Sequence, residues 1–153
     1  METTKITEHF TLEEMTRSAT LDRLNKVRKT PIVNKPDDYA MSNLRVLCQS
    51  LELIRTKLGE PLYITSGYRN EILNGYVGGS GFSLHMKGAA ADISLPLNKA
   101  IVAAQYAMNL PHAKEALLRT ATSSATSPSL VIRILAASPV MQEEPSKAVP
   151  VPQ

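Results

Sequence analysis

The stretch SNLRVLCQSLELIRTKLGEPLYITS, residues 42–66, decides the fold class. Leu44, Leu47, Cys48, Leu51, Ile54 and Leu58 recur at steps of three and four, which lays one apolar stripe along a helix. Ser42 can cap the start of that helix, and Gly59 stands where a helix ends. Residues Pro61 to Ser66 then alternate, with Leu62 and Ile64 on one face, as a half-buried strand does. A strong amphipathic helix followed at once by an alternating strand predicts an α+β domain, with the helix packed on a small, mainly antiparallel sheet. The expected core is Leu44, Leu47, Leu51, Ile54, Leu58, Leu62, Ile64, Ala91 and Ile93. Cys48 lies on the stripe with no basic neighbour, so it reads as a small buried apolar residue and not as a nucleophile.

Working towards the N-terminus, Thr11 can cap a short helix from Leu12 to Arg17, with Glu14 three residues later to return a hydrogen bond. Phe10 and Met15 are placed as the accompanying hydrophobic staple. Ser18 to Tyr39 is polar and broken by Pro31 and Pro36, which predicts a long ordered loop with some helical turn. Working towards the C-terminus, Asn70 to Tyr76 suits a short helix, Gly78 to Gly81 a flexible turn, and Ala89 to Leu95 a second strand of small residues. Ala100, Ile101, Ala104, Ala107 and Met108 suit a helix opened by Asn98, and His112 to Thr122 suits another. Leu130 to Ala137 is apolar without a deciding period, so strand and helix both stay open.

Composition bounds the function. The chain has 153 residues, room for one domain or a domain with a tail. Its net charge of +3 is scattered, with no basic block beyond the short Arg23–Lys29 stretch, so no nucleic-acid footprint is indicated. A single cysteine excludes an internal disulfide framework and any multi-cysteine zinc site. The sequence holds no run of 18 apolar residues, the length a membrane-spanning helix needs, and the polar start METTKITEHF has no secretory h-region. Synthesis in a cytoplasm is therefore expected. The composition also changes along the chain. All seven glycines lie between Gly59 and Gly88, whereas Leu97 to Gln153 holds no Gly, Phe, Trp or Asp and six of the ten prolines. A soft boundary falls near Leu95–Asn98, and Gln142 to Gln153 reads as a Pro-rich, disordered tail.

With one cysteine, a metal site must come from His, Asp and Glu. The histidines are His9, His85 and His112, and only His85 has a telling neighbourhood, Ser83-Leu84-His85-Met86-Lys87-Gly88-Ala89-Ala90-Ala91-Asp92. His85 and Asp92 cannot share a helical face across Gly88, but they converge if the histidine sits in a loop folded back along the strand that carries the aspartate. An imidazole nitrogen and a carboxylate oxygen suit Zn²⁺, and a catalytic zinc takes three protein ligands plus water. The plainer reading of each is a hydrogen-bonded loop histidine and a turn aspartate. Arg69, the only charged residue in a Gly/Ser/Tyr turn, presents a fork suited to a peptide carboxylate, with a surface pair to Glu71 as its plainer alternative. Tyr68 and Tyr76 suit a cleft wall or the core equally well.

The string Ser66-Gly67-Tyr68-Arg69, then Asn74, then Gly78-Gly79-Ser80, then Ser83-x-His85-x-x-Gly88-x-Ala90-x-Asp92 resembles the zinc D-alanyl-D-alanine carboxypeptidase-like peptidases of the M15 family. The opening Ile6-Thr7-Glu8-His9-Phe10-Thr11-Leu12-Glu13-Glu14-Met15 resembles the small bacterial and phage-borne members. The resemblance covers about residues 5 to 95. It implies a Hedgehog/DD-peptidase-like α+β fold and one Zn²⁺ held by His85 and Asp92. It further implies Arg69 on the substrate's carboxylate or carbonyl end, and Ser83, with Tyr68, shaping the pocket. The implied activity is zinc-dependent hydrolysis of peptidoglycan stem peptides or other D-Ala-containing peptides by a monomer. A wall substrate and no export signal are reconciled if a separate lysis system releases the protein.

The family also needs a general-base Glu and a W-x-H segment carrying the third ligand, and this chain has no tryptophan. His112 is the only histidine downstream and reads as an exposed residue at a helix start; Glu115 reads as a first-turn acid favoured by the helix dipole. The expected organisation is therefore an incomplete peptidase core over 1–95, a divergent segment over 96–140, and a Pro-rich tail over 141–153. One origin for the divergence is a C-terminal third out of register with an ancestral reading frame. The competing expectation is a non-catalytic remnant or a wall-peptide-binding module.

Overall fold

The computed structural model describes residues 3–110, 113–120 and 129–136, with 113–120 and Ser129 described through the backbone alone. The elements run α1 (Leu12–Thr16), α2 (Ala19–Val27), α3 (Asp38–Leu58), β1 (Tyr63–Ser66), α4 (Glu71–Tyr76), a 3-10 turn (Leu84–Lys87), β2 (Ala90–Pro96), α5 (Leu97–Ala107), β3 (Ala113–Thr120) and β4 (Ser129–Ala136). The four strands form one antiparallel sheet in the order β1-β2-β4-β3, so the fold is α+β as the helix-then-strand pattern predicts.

The sheet has one face on the core and one on the cleft. Ala91 pairs with Ile134 and Ile93 with Ile132, and these four residues are fully buried against α3 and α5. Period-2 alternation then sends Ala90, Asp92, Arg133 and Leu135 to the opposite face. On the helix side Leu44, Leu47, Cys48, Leu51 and Ile54 are fully buried, as the stripe predicts, and Leu58 is half-buried. Each fully buried Leu or Ile contributes about 1.5–3 kcal/mol relative to exposure, so α3 is the main anchor of the sheet. Burial, with Glu14 and Glu52 nearby, pushes the Cys48 thiol up to about 12, which makes it inert.

Local signals at α1 and α4 hold. The Thr11 side chain accepts from Glu14 N, Phe10 and Met15 are buried, and the Asn70 side chain caps α4 by accepting from Leu73 N. Four expectations are corrected. The polar stretch after Ser18 contains a nine-residue helix, α2, capped by the Ser18 side chain on Leu21 N. It buries no residue, so it left no core-facing stripe to read. Helix α3 starts at Asp38, earlier than Ser42, because Asp37 caps it by accepting from Ala40 N; Ser42 donates to Asp38 O inside the helix. Helix α5 opens at Leu97 after Pro96 and not at Asn98, Ile101 and the C-cap residue Met108 are exposed, and Ala100, Ala103, Ala104 and Ala107 form the buried face.

The fourth correction is the largest. Residues 113–120, composed of good helix formers, are strand β3, paired along their length with β4. Pairing across the sheet overrides a local helical preference, as is usual for strand propensities. The same pairing makes Leu130 to Ala136 a central strand. His112 and the Pro-rich 141–153 stretch lie outside the described residues, as does the Glu115 side chain. Among the described residues no helix is long and apolar enough to cross a membrane.

Candidate functional site

The site forms where the chain leaving β1, the 3-10 turn and the cleft face of β2 and β4 meet. Gly67 follows β1 directly. A Cβ there would overlap the Met15 carbonyl, which instead accepts from Tyr68 N at 2.7 Å, so only glycine lets the chain pass this close to α1. That passage aims the Gly67 carbonyl at the His85 ring. The turn carrying His85 is capped at one end by Ser83, whose Oγ accepts from His85 N at 3.2 Å. It ends at Gly88 with φ +74°, where a Cβ would overlap the Ala40 carbonyl of α3. Buried Asn43, also on α3, donates to Lys87 O at 2.8 Å. The main helix therefore clamps the turn, and Arg69 N donating to His85 O at 3.0 Å ties the arginine to it.

His85 is buried, and its Nδ1 lies 2.7 Å from Gly67 O. A carbonyl only accepts, so Nδ1 carries the proton, and in the neutral ring Nε2 holds a bare lone pair. That Nε2 is buried without a hydrogen-bond partner and stands 3.6 Å from Asp92 Oδ2. Orienting a ligand imidazole through its other nitrogen is the usual support of a metal-binding histidine.

Asp92 lies on β2 directly opposite Arg133 of β4. Arg133 Nε donates to Oδ1 at 2.8 Å and Nη2 to Oδ2 at 3.2 Å, a two-point fork. Burial pushes the Asp92 carboxyl up, but His85 when its ring is charged, together with the Arg133 fork, outweighs it and holds its pKa down at about 2. The same hydrogen bond to Asp92 raises the pKa of Arg133 against burial.

These groups face a cleft of about 350 Å³, lined by Arg69, Ser83, His85, Ala90, Arg133 and Leu135 with the turn at residues 77–80. Arg69 Nη2 donates to Ser83 Oγ at 3.4 Å, and its Nε is buried without a partner. Burial, opposed by Asp92 and aided by Arg133, lowers the Arg69 pKa. The cleft thus presents two guanidinium groups and an imidazole, beside a buried carboxylate already held by one of the guanidiniums.

His85, Arg69 and Ser83 line this cleft, and Asp92, on the same face of the sheet and held by Arg133, is not part of the lining. Tyr68 does not line it: the ring packs into the core cluster. Tyr76 is exposed and accepts from Arg28 Nη1 at 3.1 Å. His9 is tied to α3, its N donating to Glu52 Oε2 at 2.6 Å and its Nδ1 lying 2.7 Å from Oε1. Arg133 escaped the sequence reading. Its signal was there, since it is the only charged residue in the apolar run Ser129 to Ala136, but its partner lies on another strand.

Donor type and spacing fit a divalent ion at His85 and Asp92. Nitrogen and oxygen donors each about 2.0–2.1 Å from a tetrahedral zinc stand roughly 3.3–3.4 Å apart, and here the separation is 3.6 Å. The count is short of a full catalytic set: among the described residues no group of three or more His, Cys, Asp and Glu is poised around one point.

A family model described as Peptidase M15 matches residues 8–123 of the chain. The match runs past Leu95, where the composition changes, and takes in α5 and β3. No curated protein matches the chain.

Proposed function

The chain belongs to the peptidase M15 family, and from that premise we propose that it is a zinc-metallopeptidase-like protein acting on peptidoglycan stem peptides, with D-Ala-D-Ala carboxypeptidase-type hydrolysis as its chemistry. The observation that carries the reading is the buried, partnerless Nε2 of His85, fixed by the Gly67 carbonyl and facing a carboxylate across 3.6 Å. An uncompensated lone pair in a buried site is costly unless something occupies it, and a cation between the two donors does so. His85 and Asp92 are the residues that would hold zinc. When bound, zinc supplies Lewis acidity towards a carbonyl.

The chain's own residues do the rest. Arg69 offers an unpaired Nε and a long contact to Ser83 that a better acceptor displaces, so it receives the carboxylate end of a peptide. Ser83 caps the His85 turn and lends its hydroxyl to Arg69, coupling the recognition group to the ligand-bearing turn. Ala90 and Leu135 form a small apolar wall suited to a methyl side chain. A volume of about 350 Å³ suits the end of a peptide.

One observation favours a second reading, in which the pocket binds wall peptide without turnover: both oxygens of Asp92 are engaged by Arg133. Metal analysis of the purified full chain and of His85→Ala, together with D-alanine release from a stem peptide ending in D-Ala-D-Ala, separates the two. Stoichiometric zinc lost in His85→Ala, with D-alanine released, is the expected result. Saturable peptide binding with no release supports the second reading. Neither zinc nor peptide binding overturns both.

A further inference from the structure

We infer that Arg133 is an internal cation standing in for the metal at Asp92, and that zinc binds this chain only by displacing its guanidinium. The inference rests on the reading of His85 and Asp92 as the ligand pair, and adds to it the residue that controls their occupancy. Arg133 is placed for this by the register of the sheet: it is the direct cross-strand partner of Asp92, on the cleft-facing side of β4. Its neighbours Ile132 and Ile134 point the other way into the core, so the strand cannot slip by one residue without burying the charge and exposing two isoleucines. The position is therefore pinned.

The fork matches the carboxylate through Nε and Nη2 at 2.8 and 3.2 Å and takes both of its oxygens. Oδ2, the oxygen facing His85 Nε2, is one of the two. A metal ion at the pair and the Arg133 fork thus need the same oxygen. Two positive charges cannot share one carboxylate without mutual repulsion in a site this buried. The Arg133 side chain keeps about a fifth of its surface exposed and lines the cleft, which gives the displaced guanidinium somewhere to go. In the displaced position it joins Arg69 on the cleft wall, where two forks face an incoming peptide carboxylate. Without metal, Arg133 keeps the buried Asp92 compensated, so the folded chain does not depend on the ion. His85 has no such substitute partner, which is why its Nε2 alone is left bare.

The test measures Zn²⁺ affinity of the full chain by competition with a chromophoric chelator, and the melting temperature of the metal-stripped protein. Arg133→Met is expected to bind zinc at least tenfold more tightly than wild type, with His85→Ala in the same background cancelling the gain. Stripping the metal is expected to lower the melting temperature of wild type less than that of Arg133→Met, in line with their zinc affinities. Arg133→Lys keeps the charge but loses the planar two-point fork, and is expected to fall between the two in zinc affinity; it carries the test should Arg133→Met fail to fold. Equal zinc affinity in wild type and the variants overturns the inference, as does a wild-type protein whose melting temperature falls on stripping by as much as that of Arg133→Met. No zinc binding in any of them overturns it too. Tighter zinc binding in Arg133→Met with no stem-peptide binding in any form leaves the Arg133 assignment standing and removes the peptidase reading.

Discussion

His85 and Asp92 sit on adjoining elements and face one another, yet the chain holds them in opposite ways. The histidine is fixed by backbone: a carbonyl at Nδ1, a glycine-ended turn beneath it and α3 behind. Its second nitrogen is left unsatisfied. The aspartate is fixed by a side chain, Arg133, that satisfies both its oxygens. The difference shows which half of the site is specified by local sequence and which by a distant strand. It also separates the half that is kept ready for an ion from the half already occupied by a substitute.

The largest effect is expected from attacking the histidine half at its base. Gly88→Ala forces a side chain into a left-handed backbone, at about 1–2 kcal/mol, and into the Ala40 carbonyl, adding up to about 3 kcal/mol. A loss of about 4 kcal/mol by urea denaturation is expected, with zinc binding lost in whatever fraction stays folded. A loss below about 1 kcal/mol would mean that α3 does not clamp the turn.

Next comes the aspartate half. Asp92→Asn strands the Arg133 guanidinium without its counter-charge. Removing one partner of a fully buried pair costs about 3–5 kcal/mol; Arg133 is partly exposed, so about 2–3 kcal/mol is expected. The pH dependence follows from the depressed carboxyl. Its folded pKa of about 2 lies below the unfolded value of about 3.9, so its contribution is complete above about pH 4 and is lost as pH falls through about 2. Wild type should lose about 2 kcal/mol over that window through this group, and Asp92→Asn should lack that slope. An identical acid limb in both proteins breaks the comparison, because Asp92 would then be no better compensated in the folded chain than in the unfolded one.

His85→Ala is expected to cost less, about 1–2 kcal/mol, from one buried hydrogen bond to Gly67 O and a modest cavity. The bare Nε2 offsets part of that loss, because removing an unsatisfied buried atom relieves its desolvation. This asymmetry sharpens the contrast: the group poised for the ion contributes less to the fold than the group already neutralised. A cost for His85→Ala above that for Asp92→Asn would reverse it.

What the sequence made legible follows the same divide. The stripe from Leu44 to Leu58, the Thr11 cap, the short helix ending at Tyr76 and the convergence of His85 with Asp92 all rest on short chain separations, where periodicity and capping act directly. Helix α2 escaped because its support is a Ser18 cap and not a buried face. Strand β3 escaped because Ala, Lys, Glu, Leu and Arg favour a helix in isolation, and only pairing with β4 makes them a strand. Arg133 escaped for a related reason. A charge in an apolar strand demands a partner, but nothing local says that the partner is Asp92, 41 residues away. Tyr68 suited cleft wall and core equally by sequence, and its ring packs in the core.

The smallest expected effect supplies an internal control. His9 and His85 each hold Nδ1 at 2.7 Å from an oxygen, so by that distance alone they are alike. Their surroundings differ: His9 keeps about a third of its side chain exposed and its partner is the Glu52 carboxylate, whereas His85 is buried and its partner is a carbonyl. An exposed pair is worth roughly 0.2–1 kcal/mol because water competes for both ends, so His9→Ala should cost about 0.5 kcal/mol. The backbone bond from His9 N to Glu52 survives that substitution and keeps the N-terminal segment on α3. Zinc affinity should be unchanged in His9→Ala and abolished in His85→Ala when both are titrated side by side. Equal losses in the two variants would show that the ion is taken up by any histidine on the surface, and the bare nitrogen in the cleft would lose its claim to specificity.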